Sequence, residues 1–111
     1  MTLSSHVLDS TRGAPAGGVS VRWERLAGDA WQPVAEAVTD HDGRVAEWPT
    51  AEPLGTGTHR LVFGSGAYFG ERRVETFYPE VVVVFAVTDA DRHHHVPLLL
   101  SPFAYSTYRG S

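Results

Sequence analysis

The sequence predicts an all-β fold, a two-sheet antiparallel β-sandwich with one short helix, in a single domain over residues 1–111. Several short stretches alternate apolar and polar residues, as strands do when they bury only one face. Clusters of Gly, Pro, Asp and Ser separate these stretches at short intervals. Roughly seven or eight strands of this kind, with turns between them, are typical of a sandwich.

In the first half of the chain, the alternation predicts four strands. They cover residues 3–9, 19–26, 31–39 and, more briefly, 44–48. The first of them places Ser4, His6 and Leu8 on one face. Pro33 indicates that its strand lies at a sheet edge, because proline cannot donate a hydrogen bond to a neighbour. Residues 11–18, which are rich in Gly and Pro, are predicted to form a loop.

The second half is predicted to hold the helix and the remaining strands. The strands cover residues 58–63, 81–87, 93–100 and 104–109. The helix is predicted over residues 64–72, where Tyr68 and Arg72 are spaced to share one face, and its glycines limit it to about two turns. Residues 81–87 are a continuous apolar run, which is typical of a strand covered on both faces.

Composition excludes several classes of protein. Because the sequence has no cysteine, it can form neither disulfides nor a thiolate zinc site. The formal net charge of −4 argues against a general attraction to nucleic acid. No apolar stretch is long enough to span a membrane, and residues 1–5 lack the basic and apolar regions of a signal peptide. We therefore expect a cytoplasmic protein that binds neither nucleic acid nor membrane.

Three of the six histidines are consecutive, at the start of the predicted strand 93–100. If Val96 and the alternate residues after it face the core, then His93 and His95 point outward and His94 lies on the core side, near the strand start, where water reaches it. The outward face also carries the apolar Leu99, which predicts that another surface covers it. A second copy of the chain is the simplest cover.

The histidines support two chemistries and one plainer interpretation. Alternate strand positions let His93 and His95 bind one metal ion, with His6 or His41 as a third ligand. Solvated histidines at a polar strand end are the plainer interpretation, and the spacing alone favours it. Hydrolysis without a metal is the second chemistry. There His6 and His95 would handle a proton and Arg44 would bind an anionic group, if folding brings them together.

Motifs along nearly the whole length resemble the transthyretin-like proteins, and specifically their enzymatic branch, the 5-hydroxyisourate hydrolases. The matching stretches are residues 5–9, 12–16, 39–44, 77–81, 95–102 and 105–111. The final Tyr-Arg-Gly-Ser is specific to the enzymes, since the hormone carriers have no such ending. The carriers also have non-catalytic residues where this chain has His6, Arg44 and His95. One position departs from the family pattern, since His94 stands where the family has an aromatic residue such as Tyr.

The resemblance implies a sandwich of eight strands with one short helix, assembled as a homotetramer that is a dimer of dimers. Two active sites would lie in a channel between dimers, lined by the first strand and the last two. The implied reaction is the opening of 5-hydroxyisourate by water to 2-oxo-4-hydroxy-4-carboxy-5-ureidoimidazoline, in urate degradation. The family needs no metal or other cofactor.

Carried over residue by residue, the resemblance assigns catalysis to His6, Arg44 and His95. His6, or His6 together with His95, would activate the attacking water. Arg44 would bind the carbonyl oxygens of the ring and the developing oxyanion. Substrate binding is assigned to the C-terminal residues Tyr108, Arg109, Gly110 and Ser111.

Further roles follow from the same resemblance. Tyr108 would shape the channel wall, and Ser111, with its terminal carboxylate, would fix neighbouring polar groups. Asp9 is predicted either to orient a loop or group behind the site or to be structural. His41 and His59 are predicted to be surface residues.

A binding protein with the same sandwich is the alternative function. Its central channel would hold a small hydrophobic or aromatic ligand. Two imidazoles and a guanidinium disfavour this alternative, because an apolar ligand leaves such groups without partners.

Overall fold

The computed structural model describes residues 3–111, which form two β-sheets and one helix. In chain order the elements are β1 Leu3–Asp9, β2 Ala14–Pro15, β3 Ser20–Ala27, β4 Ala30–Val38, β5 Arg44–Val45, β6 Gly57–Phe63, α1 Ser65–Glu71, β7 Val81–Val87, β8 His94–Leu100 and β9 Tyr105–Thr107. The predicted two-sheet sandwich with one short helix is confirmed. No helix within residues 3–111 is both long and apolar enough to cross a membrane.

The two sheets differ in how their strands pair. One has the order β4-β3-β6-β7, and all its pairs are antiparallel. The other has the order β2-β1-β8-β9, with β5 also pairing with β1. In this second sheet β1 and β8 run parallel, so that Ser4 lies opposite His95 and His6 opposite Pro97. The parallel pair joins the two ends of the chain and brings the histidine-rich segment beside the first strand.

The core lies between the sheets and consists of the inward residues of both. Its largest buried side chains include Trp23, Phe63 and Leu98. Alternation predicted correctly that Ser4, His6 and Leu8 share one face of β1, since the residues that alternate with them are buried. Pro33 also lies where predicted, on the edge strand β4, beside an irregularity in the pairing of β3 with β4.

Helix α1 is fixed to the end of β1 by a buried phenol. The Tyr68 hydroxyl donates to Asp9 Oδ2 at 2.8 Å, and both residues are 1% exposed. Asp9 Oδ1 accepts from the Thr11 hydroxyl at 2.6 Å and from two backbone amides. The predicted pair on the helix face is also present, since the Arg72 guanidinium lies 3.7 Å from the centre of the Tyr68 ring. Asp9 thus has a structural role at the helix junction.

Three segments differ from the predictions by more than one residue at an end. Residues 11–18 contain the two-residue strand β2, the strand predicted over 44–48 is only Arg44–Val45, and that over 104–109 is only Tyr105–Thr107. Each of these segments pairs with a neighbouring strand over only two or three residues, so the strand that it forms is short.

The prediction that residues 81–87 are covered on both faces is wrong for the single chain. Val81, Val83 and Val87 are buried, whereas Val82 is 39% and Val84 56% exposed. Because every residue of this run is apolar, the sequence has no apolar–polar alternation that would show which face of the strand is exposed.

His59 was predicted to lie on the surface, and this is wrong. It is completely buried in β6, where its ring stacks on Phe85 with centroids 5.8 Å apart. The Trp23 indole N–H donates to His59 Nδ1 at 3.0 Å, so Nε2 carries the ring proton and donates to the Gly55 carbonyl at 2.9 Å. His41, by contrast, is exposed as predicted.

Candidate active site

The site lies on the outward face of the sheet, where β5 pairs with one side of β1 and β8 pairs with the other. His6 on β1 and Arg44 on β5 are cross-strand partners, and β8 places His95 opposite Ser4. Since Ser5 and Val96 of the same strands are buried, the residues that alternate with them face outward together. The structure therefore brings the three predicted catalytic residues, far apart in sequence, onto one face.

His95 is half-buried on this face, and its imidazole has identified neighbours. The Ser4 hydroxyl lies 2.8 Å from Nδ1, and the Gly110 amide donates to the His95 carbonyl at 3.0 Å. Burial lowers the pKa of His95, and the positive charges of Arg44, His6 and His93 lower it further, while a hydrogen bond with the Ser4 backbone opposes them. A lowered pKa keeps this imidazole neutral near neutral pH, as a general base requires.

His6 is held by the turn that precedes β5. Its Nε2 lies 2.9 Å from the Asp42 carbonyl oxygen, which can only accept, so Nε2 carries a proton. Asp40 Oδ1 accepts from the backbone amides of Asp42 and Arg44, both at 2.9 Å, which closes the turn. The same turn therefore orients His6 and starts the strand that carries Arg44.

Gly43 in this turn has to be a glycine. Its φ of 75° lies in the left-handed region, and a Cβ there would collide with the Val7 carbonyl oxygen. The Gly43 carbonyl accepts from the Val7 amide at 2.7 Å, which ties the turn to β1 beside His6. The role of Gly43 is therefore structural.

The C-terminal residues assigned to substrate binding lie in two places. Gly110 pairs with His95 and packs against its ring. Tyr108 and Arg109 are exposed, and they line a cavity of about 330 Å³ that also contacts His95. Ser111 is exposed. The structure thus brings the tail to His95, with Gly110 nearest to the ring.

Water reaches His94 less than was predicted. The residue is only 9% exposed, on the core side of β8. Its Nδ1 lies 2.8 Å from the Arg92 carbonyl oxygen, and its ring lines the same cavity as Tyr108. His94 therefore fills space beneath the site, and its orientation differs from that of its two neighbours.

Ser4 is a site residue that the sequence did not single out. Its hydroxyl lies 2.9 Å from His93 Nε2 as well as 2.8 Å from His95 Nδ1. Alternation did place Ser4 on the face of His6. The missing information was the parallel pairing of β1 with β8, because the register puts Ser4 beside the histidines only in that arrangement.

The histidines are not arranged as the metal hypothesis requires. Within residues 3–111, the three side chains whose ligand atoms lie within 4.8 Å of one another are Asp40, His41 and Asp42, in the exposed turn. His93 and His95 instead share the Ser4 hydroxyl. Chemically, a face that carries two imidazoles and a guanidinium, from His6, His95 and Arg44, can hold or move a proton and bind an anion.

Comparison with known proteins identifies relatives over the full length. The model of the HIUase/Transthyretin family matches residues 3–110. A probable 5-hydroxyisourate hydrolase of Caenorhabditis elegans is 46% identical over 111 residues, which are 99% of this chain and 82% of that protein.

Two solved structures share the architecture. The 5-hydroxyisourate hydrolase of Klebsiella pneumoniae has a TM-score of 0.87 and 37% identity, and the match covers 100% of both chains. Sea bream transthyretin in complex with thyroxine has a TM-score of 0.92 and 31% identity, and the match covers 99% of this chain and 95% of that one. The family match and the full-length relatives agree with the fold described above, and the chain belongs to the HIUase/Transthyretin family.

Proposed function

We propose that this chain hydrolyses 5-hydroxyisourate to 2-oxo-4-hydroxy-4-carboxy-5-ureidoimidazoline, as an enzyme of urate degradation. The observation that carries the proposal is the register of β1, which has Arg44 opposite His6 on one side and His95 opposite Ser4 on the other. Full-length similarity to proteins named 5-hydroxyisourate hydrolase supports the same reaction.

The chemistry requires a base for water and a cation for the oxyanion. His95 has a lowered pKa, so it takes a proton from water, while His6 lies on the same face and donates through Nε2 to the Asp42 carbonyl. The water oxygen bonds to the ring carbonyl carbon, and Arg44 stabilises the oxyanion through its guanidinium. The ring C–N bond then breaks, and the nitrogen leaves with the proton that the base had taken.

The tail residues complete the substrate site in this proposal. Gly110 has no side chain, which leaves room for the His95 ring and for a ligand beside it. Tyr108 and Arg109 border the cavity that opens next to His95, where a planar heterocycle would meet an aromatic ring and a cation. Ser111, the next residue, would add polar contacts to the ring substituents.

The working form is a homotetramer, a dimer of dimers, in this proposal. Among residues 3–111 of the single chain, β7 pairs only with β6, and its outward valines, Val82 and Val84, are exposed. Arg44 is exposed as well, although an oxyanion-binding cation acts more strongly where water is excluded. A second copy on these surfaces would bury the apolar residues and enclose the site.

A cytoplasmic location stays a prediction from the sequence.

A binding protein for a small aromatic ligand is the second candidate. The similarity to sea bream transthyretin, whose structure contains thyroxine, favours it. The cavity beside β7 also has the apolar Val83, Phe85 and Val96 in its lining. In this candidate, however, His6, His95 and Arg44 would have no chemical role.

One assay separates the two candidates. Freshly prepared 5-hydroxyisourate is followed by its ultraviolet absorbance, with and without the purified protein and with a chelator present. We expect catalysed decay that the chelator does not reduce. Decay at the uncatalysed rate, together with calorimetric binding of thyroxine, would replace the hydrolase with the binding protein.

A further inference from the structure

The Ser4 hydroxyl connects two histidines of the site. It lies 2.8 Å from Nδ1 of His95 and 2.9 Å from Nε2 of His93, both within hydrogen-bonding distance. The contact with His95 is partly buried, whereas that with His93 is exposed. The three groups therefore form a short chain that leads from the site to the protein surface.

The direction of these hydrogen bonds follows from the single hydroxyl proton. Ser4 can donate to one imidazole and must accept from the other. Only one direction suits a general base, namely that His95 Nδ1–H donates to Ser4 and Ser4 donates to His93 Nε2. This direction leaves the Nε2 of His95 with a lone pair for water.

We propose that Ser4 and His93 are the outer part of the catalytic base, in which Ser4 fixes the tautomer of His95 and passes its proton to His93. This inference rests on the proposed hydrolysis. Ser4 and His93 are positioning residues here, since they act through His95.

The proton steps balance without any further reactant. His95 Nε2 takes a proton from the attacking water, and the Nδ1 proton moves to the Ser4 oxygen. The Ser4 proton moves at the same time to Nε2 of His93. The result is a hydroxide equivalent bonded to the substrate carbon, a neutral His95 in the other tautomer and an imidazolium at His93. Reversal of the same path returns the proton for the leaving nitrogen.

The charges around His95 favour such a transfer. An imidazolium at position 95 would face Arg44 on β5 and His6 on β1, and would lie close to His93, which immediately precedes β8. All three neighbours are cationic or can become so beside a partly buried ring, where repulsion is weakly screened. His93 is exposed, so a positive charge there is stabilised by water. Transfer from His95 to His93 therefore moves the charge away from Arg44 toward solvent.

The first test removes the hydroxyl. Ser4→Ala should lower kcat by about tenfold or more while KM changes little, because loss of a partner behind a ligand or catalytic group typically costs about 10–100-fold. Ser4→Thr keeps the hydroxyl and should recover most of that loss. Ser10→Ala, at an exposed serine just beyond β1, is the matched control. Unchanged kcat in Ser4→Ala would overturn the inference.

The second test removes the terminal acceptor. His93→Gln keeps the hydrogen-bonding capacity of the side chain but cannot accept the proton, so kcat should fall even on the alkaline plateau, where His95 is neutral in every variant. Added imidazole should restore part of the rate in His93→Ala. Full activity of His93→Gln on that plateau, or no response of His93→Ala to imidazole, would overturn the relay.

A spectroscopic readout is independent of turnover. Nitrogen-15 spectra of the histidines should report the Nδ1–H tautomer for His95 in the native protein and a mixture in Ser4→Ala. The Nε2–H tautomer in the native protein would overturn the inference. If the native protein fails to accelerate decay of 5-hydroxyisourate, the proposed function fails. If it accelerates decay and Ser4→Ala does so equally, only the relay fails.

Discussion

Gly110 lies directly against the imidazole of His95. Its amide donates to the His95 carbonyl at 3.0 Å, and a Cβ on Gly110 would overlap Cδ2 and lie 3.0 Å from Cγ of that ring. The backbone of Gly110 is outside the positive-φ region, so alanine could adopt its conformation. The contact therefore makes the position of the ring depend on the absence of a side chain at residue 110.

Gly110→Ala should consequently lower kcat while leaving the free energy of unfolding nearly unchanged. A displacement of the ring by a few tenths of an ångström to about 1 Å is enough to cost on the order of 100-fold in rate. Gly70→Ala is the control, because a Cβ at that helical position meets open space. The control should keep its activity and gain up to about 1 kcal/mol of stability. Normal kcat in Gly110→Ala would contradict the importance of this contact.

The pH dependence of kcat/KM should report His95. Because burial and the charge of Arg44 lower the pKa of His95, the acid limb should have its midpoint below the ordinary value of 6.5. Activity is lost as pH falls through that pKa, since the protonated ring cannot accept a proton. Arg44→Gln should move the limb toward higher pH as well as lower the rate. Arg22→Gln in the other sheet is the control, and an unmoved limb in Arg44→Gln would contradict the charge assignment.

His59 should make the fold less stable in mild acid. Burial lowers the pKa of His59, so between the folded and unfolded pKa values the unfolded chain binds more protons. Stability is therefore full above about pH 6.5 and decreases as pH falls below it. Urea unfolding at about pH 7.5 and about pH 5 should show the decrease in the native protein.

A substitution separates this effect from other titrations. His59→Gln removes the titrating ring and should flatten the slope between those two pH values. It should also cost about 1–3 kcal/mol at neutral pH, because the Trp23 indole loses a well-placed acceptor. An equal slope in the variant and the native protein would assign the acid sensitivity elsewhere.

The Tyr68–Asp9 hydrogen bond should contribute stability and not catalysis. Burial raises the pKa of Asp9, but hydrogen bonds from Thr11, Tyr68 and Arg12 outweigh it and leave the pKa lowered. Tyr68→Phe should cost about 1–3 kcal/mol of unfolding free energy with kcat unchanged. Its effect should begin to shrink as pH falls below about 4, where the carboxyl becomes protonated in the unfolded chain, and should be lost once pH falls through the lower pKa of the folded protein. A large loss of kcat would place Asp9 in the catalytic machinery.

Substitution of an exposed valine of β7 tests whether this strand forms the interface of the proposed tetramer. Val84→Glu should dissociate the proposed tetramer, because a charge replaces an apolar contact, and light scattering should show the lower mass. Val38→Glu on the edge strand β4 is a matched change at a valine of similar exposure and should leave the mass unchanged. A tetramer that survives Val84→Glu would exclude β7 as the interface.

Sequence patterns predicted those parts of the fold that depend on local alternation. Alternation placed Ser4 and His6 on one face of β1, and the missing amide hydrogen of Pro33 indicated an edge strand. Register between distant segments leaves no local signal, so the parallel pairing of Ser4 with His95 could not be derived. The burial of His59 was missed, although alternation puts it on the same face of β6 as Leu61 and Phe63. His6, Arg44 and His95 were found through family resemblance, and the structure adds the strand geometry that brings them together.

The most direct test of the central claim is the rate of ring opening by His6→Ala, Arg44→Ala and His95→Ala on fresh 5-hydroxyisourate. The account predicts that each variant folds and loses about 100-fold or more in kcat/KM, the range typical of a lost acid–base or oxyanion-stabilising group. Near-native turnover by all three folded variants would contradict it.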